Sequence, residues 1–252
     1  MTNQKNLLLS ITILLLTTVV VGIFGIVPFP EYKTSLNKDI NGKIIYFSEI
    51  QSKNIIPPAP DIIDSCLFEI NLNENPLKET VIICRSDLSK YSYPYEIYFF
   101  DAQLTNNNEV IVRYWSDSKN SESILLINIE TKKVTESNEN LQSRSGYKLN
   151  TQGERILDYW EGRNPESRNI SLYYQKGNEV IEVFSETAPT NYYFESSNWS
   201  QSGNNIVALD SEGQIILFSK NKTYPPTKLI YEELKHGDQD DSRIVSVIGW
   251  RD

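Results

Sequence analysis

Two cysteines, one histidine and a cluster of aspartates are the residues of this 252-residue sequence whose types could do chemistry. Cys66 and Cys84 stand in "CLFEINL" and "ETVIIC", two β-forming runs that read as one hairpin. Pairing about Asn75 sets Ile70 opposite Thr80, Phe68 opposite Ile82 and Cys66 opposite Cys84. Directly opposed Cβ atoms lie ~4.5–5.5 Å apart, wider than the ~3.5–4.5 Å of a disulfide, so the bond needs a small adjustment. An oxidising compartment favours that disulfide; the alternative is a pair of buried thiols. Two cysteines and the distant His236 make no ligand set of recognisable spacing, so no metal site is assigned. His236 reads as a solvated residue of the loop "LKHGDQDDS", where Asp238, Asp240 and Asp241 offer oxygens without the spacing of a Ca²⁺ cage. No G-x-S-x-G elbow, phosphate-cradling glycine loop or histidine pair is present, so no catalytic residue and no cofactor are assigned. Carboxylates suffice for a glycosidase pair, but only geometry identifies one. A net charge of −9 with no basic patch argues against a nucleic-acid partner.

Whatever these residues do, a repeat must position them. "LTNNNEVIVRYW" (104–115) and "LNTQGERILDYW" (149–160) share five identities in twelve positions at an offset of 45, among them Glu109 with Glu154, Tyr114 with Tyr159 and Trp115 with Trp160. A further 50 residues on comes "WSQSGNNIVALD", with Gly203 at the position of Gly153 and Ile206 at that of Ile156. Each unit reads as four short strands bounded by Asn, Gly, Ser and Asp turns. The first has 95–104, 109–115, 123–130 and 132–137; the second 146–150, 155–160, 169–175 and 179–185; the third 192–200, 205–210, 214–219 and 227–233. Four-stranded units every ~40–50 residues predict an all-β propeller, with a two-sheet sandwich as the alternative.

"NWSQSGNNIVALDSEGQIILFS" resembles a blade of the TolB-like, WD-repeat-related β-propellers, which carry W-S-P-D-G-K-x-I/L-A after the innermost strand. Trp199, Ser200, Gly203, Ile206 and Ala208 fit, while Gln201 and Ser202 replace the usual Pro and Asp. The resemblance implies architecture for residues 41–252 and carries over no partner or catalytic residue.

The last unit supplies one strand, "RIVSVIGW" (243–250), and the other end of the sequence supplies "NGKIIYFSE" (41–49), "CLFEINL" and "ETVIIC". Written across the join, "WRDNGKII" keeps the Trp-to-Gly interval of the third unit. Three whole blades and one split blade are therefore expected, with closure removing unpaired sheet edges. The alternative is an incomplete ring finished by another subunit.

Residues 1–30 are a different material. Leu7 to Phe29 carries no charge, and 23 residues at ~1.5 Å each span the ~30 Å hydrocarbon of a bilayer. An uncleaved signal anchor is the preferred reading over a cleaved signal peptide, followed by a linker (31–40) and the propeller domain (41–252) outside the cytoplasm. In the usual blade layout one face carries "QSKNIIPPAPDIIDS", "RSDLSKYSYPY", "SDSKNSE", "EGRNPESR" and "KHGDQDDS". Tyr93, Trp115, Trp160 and Arg163 near that face are the binding candidates, although both tryptophans also suit packing between blades. These features favour a non-enzymatic module binding a protein or cell-envelope component. An extracytoplasmic glycan or peptide hydrolase and an accessory subunit of a membrane complex are the alternatives.

Overall fold

Two kinds of strand dominate the chain, and they differ in what they bury. "IIYF", "IVAL" and "IILF" are continuous apolar runs, the pattern of strands covered on both faces, whereas "EVIVRYWS" alternates half-buried and buried residues along its whole length. A computed structural model describes residues 40–52, 62–74, 77–92, 97–105, 108–116, 119–137, 149–162, 167–229 and 240–252. In chain order β1 (Lys43–Ser52), β2 (Ile62–Asn71) and β3 (Lys78–Cys84) precede a one-turn 3-10 helix (Ser86–Leu88). There follow β4 (Ile97–Leu104), β5 (Glu109–Ser116), β6 (Ser121–Asn128) and β7 (Val134–Ser137), then β8 (Arg155–Gly162), β9 (Ser167–Lys176) and β10 (Glu179–Pro189). The last are β11 (Phe194–Trp199), β12 (Asn205–Asp210), β13 (Ile215–Ser219), β14 (Thr227–Lys228) and β15 (Asp240–Arg251).

These strands form four antiparallel sheets, β4-β5-β6-β7, β10-β9-β8, β11-β12-β13-β14 and β15-β1-β2-β3, here the first, second, third and closing sheets. The closing sheet joins the two distant segments as expected, with Trp250 opposite Ile44 and Arg251 opposite Lys43. Its register is one residue tighter than the repeat implies: aligning Gly42 with Gly203 sets Trp250 opposite Ile45, as Trp199 is opposite Ile206. No peptide bond constrains the joint, so the two segments slide until Gly42 meets Arg251, where an added Cβ would lie 2.1 Å from the Arg251 carbonyl oxygen. The repeat is visible in the backbone as well. Asn108, Gly153, Gly203 and Gly42 occupy the same place in the four turns, with φ of 58°, 74°, 72° and 97°, a region suited to Gly and Asn.

Among the described residues, three apolar clusters bind the sheets. One packs the first sheet on the closing sheet through Val110, Val112, Tyr114, Phe47 and Ile45. Another packs the closing sheet on the third through Tyr46, Phe68, Trp250, Val207 and Leu217. The last packs the third on the second through Trp199, Phe218, Leu172 and Tyr174. Alternate residues of β1, β12 and β13 serve opposite clusters, which is why those strands read as unbroken apolar runs.

The structure departs from the sequence reading at several points. Strands reach further into the loops than their composition suggests: β1 runs to Ser52, β2 begins at Ile62, and β15 begins at Asp240, pairing Asp240 and Asp241 with Ser52 and Gln51. Pairing with a long neighbour extends these segments where local preference alone would not. In the β2–β3 hairpin Ile70 opposes Glu79 and Phe68 opposes Val81, and a bulge at Ile82 restores Cys66 opposite Cys84. The bulge lets Ile82 and Ile83 both turn inward while Val81 faces solvent. The predicted membrane segment (1–30), most of the linker, most of "GYKLN", Tyr93, Arg163, His236 and Asp238 lie outside the described residues. Among those described, no helix is long and apolar enough to cross a membrane.

Candidate functional site

At one end of the sheets the short turns are bonded to one another. The Gln201 amide Nε2 donates to the Thr105 carbonyl (2.9 Å), joining turns of the third and first sheets, and the Gln201 backbone N–H donates to the Trp250 carbonyl (2.8 Å). Asp252 accepts from the backbone N–H of Ser202 (3.0 Å), the Ser202 hydroxyl and Asn205 Nδ2. Trp250 Nε1 donates to the Asn41 carbonyl (2.9 Å), and Arg251 donates to Glu69 and Glu130. Leu104 lies against Gly249, close enough that an added Cβ would meet it at 2.9 Å.

The same end holds the most buried ion pair among the described residues. Glu154, 1% exposed, follows the second-sheet turn, and Lys220 leaves β13 of the third sheet. The Glu154 carboxylate accepts from the Lys220 ammonium and from Asn150 Nδ2 (2.7 Å), and Gln152 Oε1 also accepts from Lys220 (2.9 Å). The ammonium lies 4.9 Å from the Tyr174 ring centroid and 5.8 Å from that of Trp199, within cation–π reach. Burial pushes the Glu154 carboxyl upward, but the hydrogen bonds from Lys220 and Asn150 outweigh it and hold the group below the usual carboxylate range.

Asp210 makes a second polar assembly at the opposite end. Its Oδ1 accepts the backbone N–H groups of Glu212 (2.9 Å) and Gln214 (2.8 Å), an Asx-type closure of the β12–β13 turn. Its Oδ2 accepts the Tyr192 hydroxyl (3.0 Å), tying the entry of β11 to that turn, with the Lys228 ammonium at 3.7 Å. Here burial dominates and raises the carboxyl above its ordinary value, against these donors. Tyr193 stands beside the same turn, 40% exposed.

Cys66 and Cys84 form a disulfide with Cα atoms 4.0 Å apart. Their sulfurs and an Asp64 oxygen lie within 4.8 Å of one another, but each sulfur is bonded to the other, and Asp64 accepts from the backbone and hydroxyl of Ser86. Next to the disulfide in sequence, the Arg85 guanidinium lies over the edge-packed rings of Phe47 (5.4 Å) and Phe99 (5.6 Å) and donates to Ser65 Oγ (3.2 Å).

The sequence-derived binding candidates are not gathered into one described site. Trp115 is half-buried near the end of β5, its carbonyl accepting the Ser92 hydroxyl (2.6 Å). Trp160 sits in β8 opposite Ile170, with its side chain outside the described set, as are Tyr93 and Arg163. Glu154, Lys220, Asp210 and Arg85 escaped sequence reasoning. "DSEG" at 210–213 carries an Asx-turn signal, whereas nothing in the spacing of Glu154 and Lys220 announces that they meet. Chemically these assemblies are struts and turn closures: both Asp210 oxygens and Glu154 Oε2 are held by donors, while Glu154 Oε1 is buried without a hydrogen-bond partner among the described residues.

No family model matches the chain, and no curated protein matches it. Among solved structures it is similar to an oligogalacturonate lyase in complex with manganese, at 12% sequence identity and a TM-score of 0.24. The match covers 73% of this chain and 49% of the other, so the chain spans about half the length of that structure.

Proposed function

We propose that the chain is a membrane-tethered, four-bladed β-propeller that holds a protein or cell-envelope component outside the cytoplasm without transforming it. The observation that carries this reading is the commitment of the buried carboxylates Glu154 and Asp210 to internal donors, which makes them parts of the scaffold. The Cys66–Cys84 disulfide supports an oxidising compartment, and the uncharged run from Leu7 to Phe29 supports a tether. One end of the sheets is consumed by bonds among its own turns, so the partner engages the other end, where Tyr193 is exposed.

A photo-crosslinking residue placed at Tyr193 tests this against the same residue at Val180, an exposed position beside the Lys176–Glu179 turn at the tied end. Crosslinking in intact cells should yield a discrete adduct from position 193 and none from 180, and alkaline phosphatase fused after Asp252 should be active. Equal adducts from both positions, adducts from 180 alone, or an inactive fusion would refute the reading.

A further inference from the structure

The β2–β3 hairpin of the closing sheet brings three metal-donor groups together. The sulfurs of Cys66 and Cys84 and a carboxylate oxygen of Asp64 lie within 4.8 Å of one another. Backbone pairing holds them there on both sides of the disulfide. Leu67 is opposite Ile83 on one side, and on the other the Arg85 N–H donates to the Ser65 carbonyl (2.8 Å). Asp64 is oriented by its neighbours: Oδ1 accepts the N–H groups of Ser65 (2.7 Å) and Ser86 (3.4 Å), and Oδ2 accepts the Ser86 hydroxyl. A carboxylate has about four lone-pair sites, so Asp64 keeps capacity for a metal alongside these bonds.

While the sulfurs are bonded to each other they offer no thiolate. A dithiol reductant supplies two: its first thiolate attacks the sulfur of half-buried Cys84 and displaces Cys66, and its second displaces Cys84. Two electrons and two protons pass to the cysteines, and the reductant leaves as its own disulfide. Zn²⁺ then displaces the two thiol protons. Zn–S bonds of ~2.3 Å and a Zn–O bond of ~2.1 Å in tetrahedral array set the donor atoms ~3.6–3.8 Å apart. Unbonded sulfurs must part to van der Waals contact, which is close to that spacing, and the Asp64 oxygen is within reach of it. Two thiolates and a carboxylate carry three negative charges. A divalent cation cancels two, and the Arg85 guanidinium, in the field of Asp64, answers the third. Thiolate donors select Zn²⁺ over Mg²⁺ or Ca²⁺.

We propose that the Cys66–Cys84 disulfide masks a redox-gated zinc site. In the reduced chain both thiolates and Asp64 hold Zn²⁺ with water in the fourth position, and exchange with an oxidised dithiol re-forms the disulfide and releases the metal. The site is independent of the binding reading.

The test uses the full chain in detergent, reduced with dithiothreitol under argon, freed of reductant and titrated with Co²⁺ as a coloured stand-in for Zn²⁺. One Co²⁺ per chain should bind with a thiolate-to-cobalt charge-transfer band and the strong visible bands of a tetrahedral ion, and Zn²⁺ should bleach both. The oxidised chain should show neither. Asp64→Asn leaves both cysteines in place and should retain the charge-transfer band while weakening the affinity by at least ~10-fold. Three results would each overturn the proposal: unchanged affinity in Asp64→Asn, no thiolate band in the reduced chain, or binding no tighter than that of the reduced chain in strong urea. The last would show the cysteines chelating metal from an unfolded chain.

Discussion

Removing the Lys220 ammonium by Lys220→Met should be among the most damaging single changes to this fold. The substitution keeps most of the volume beside Tyr174 and Trp199 but leaves the 1%-exposed Glu154 carboxylate without its counter-charge, with Asn150 as its remaining side-chain donor. Breaking a buried pair from one side costs ~3–5 kcal/mol. At ~2–4 °C per kcal/mol for a chain of this size, the thermal midpoint should fall by about 6–20 °C. Glu154→Gln should be milder, because the glutamine oxygen still accepts from Asn150 and Lys220 retains Gln152 and the Tyr174 ring. The double variant carries neither charge and should be more stable than the sum of the singles implies, with a coupling of ~2 kcal/mol or more. The pH dependence has a definite sign. Glu154 is held below its unfolded value, so its contribution is present above about pH 4.3 and is lost as pH falls through the lower folded value. Lys220→Met removes the donor that lowers it and should make acid stabilise the variant relative to wild type. Urea denaturation of the four proteins followed by circular dichroism measures the cycle. Additive costs, or a Lys220→Met penalty under ~1 kcal/mol, would show that the pair contributes no more than a surface contact and would refute the reasoning.

Reducing the Cys66–Cys84 bond, or replacing both residues by alanine, should cost about 3 kcal/mol by the loop-entropy relation, given a sequence separation of 18; an unchanged urea midpoint with and without a phosphine reductant would contradict this. Asp210 should behave oppositely to Glu154: burial raises its folded pKa, so its effect on stability worsens as pH rises through that value. Asp210→Asn should therefore flatten the pH profile of the melting temperature and leave stability at neutral pH equal or higher, and a large loss at neutral pH would show that the carboxylate's donors dominate. Gly42→Ala places a Cβ against the Arg251 carbonyl at positive φ, and Gly153→Ala shares the φ without the clash, so the first should lower the thermal midpoint more than the second.

Much of the strand layout was legible because the turns carry residues that tolerate left-handed backbone. Asn108, Gly153, Gly203 and Gly42 mark one register, and the closing sheet follows from matching the last two. The cysteine pairing was readable from the hairpin, but the bulge at Ile82 was not, since it answers to the packing of Ile82 and Ile83 rather than to any turn signal. Sequence identity between repeats also misled about environment. Tyr114 and Tyr159 match in sequence, yet one is buried and the other largely in water, because what covers a sheet depends on its neighbour. Glu109 and Glu154 match likewise, but among the described residues it is Glu154 that meets a lysine, 66 residues away on another sheet. Contacts of that kind are set by tertiary packing, which a linear repeat does not encode.

The closing sheet also sets a timetable for synthesis. Trp250 donates to Asn41 across 209 residues, and β15 is the strand that completes the sheet begun by β1, β2 and β3. At ~5–20 residues per second, β1 emerges roughly 10–40 s before its partner exists. During that interval the edge of β1 and the apolar residues Ile44, Ile45, Tyr46 and Phe47 lack β15, and any strand within reach competes for them. Translation speed and chaperone supply, rather than equilibrium stability, should then govern how much of this protein reaches its native form.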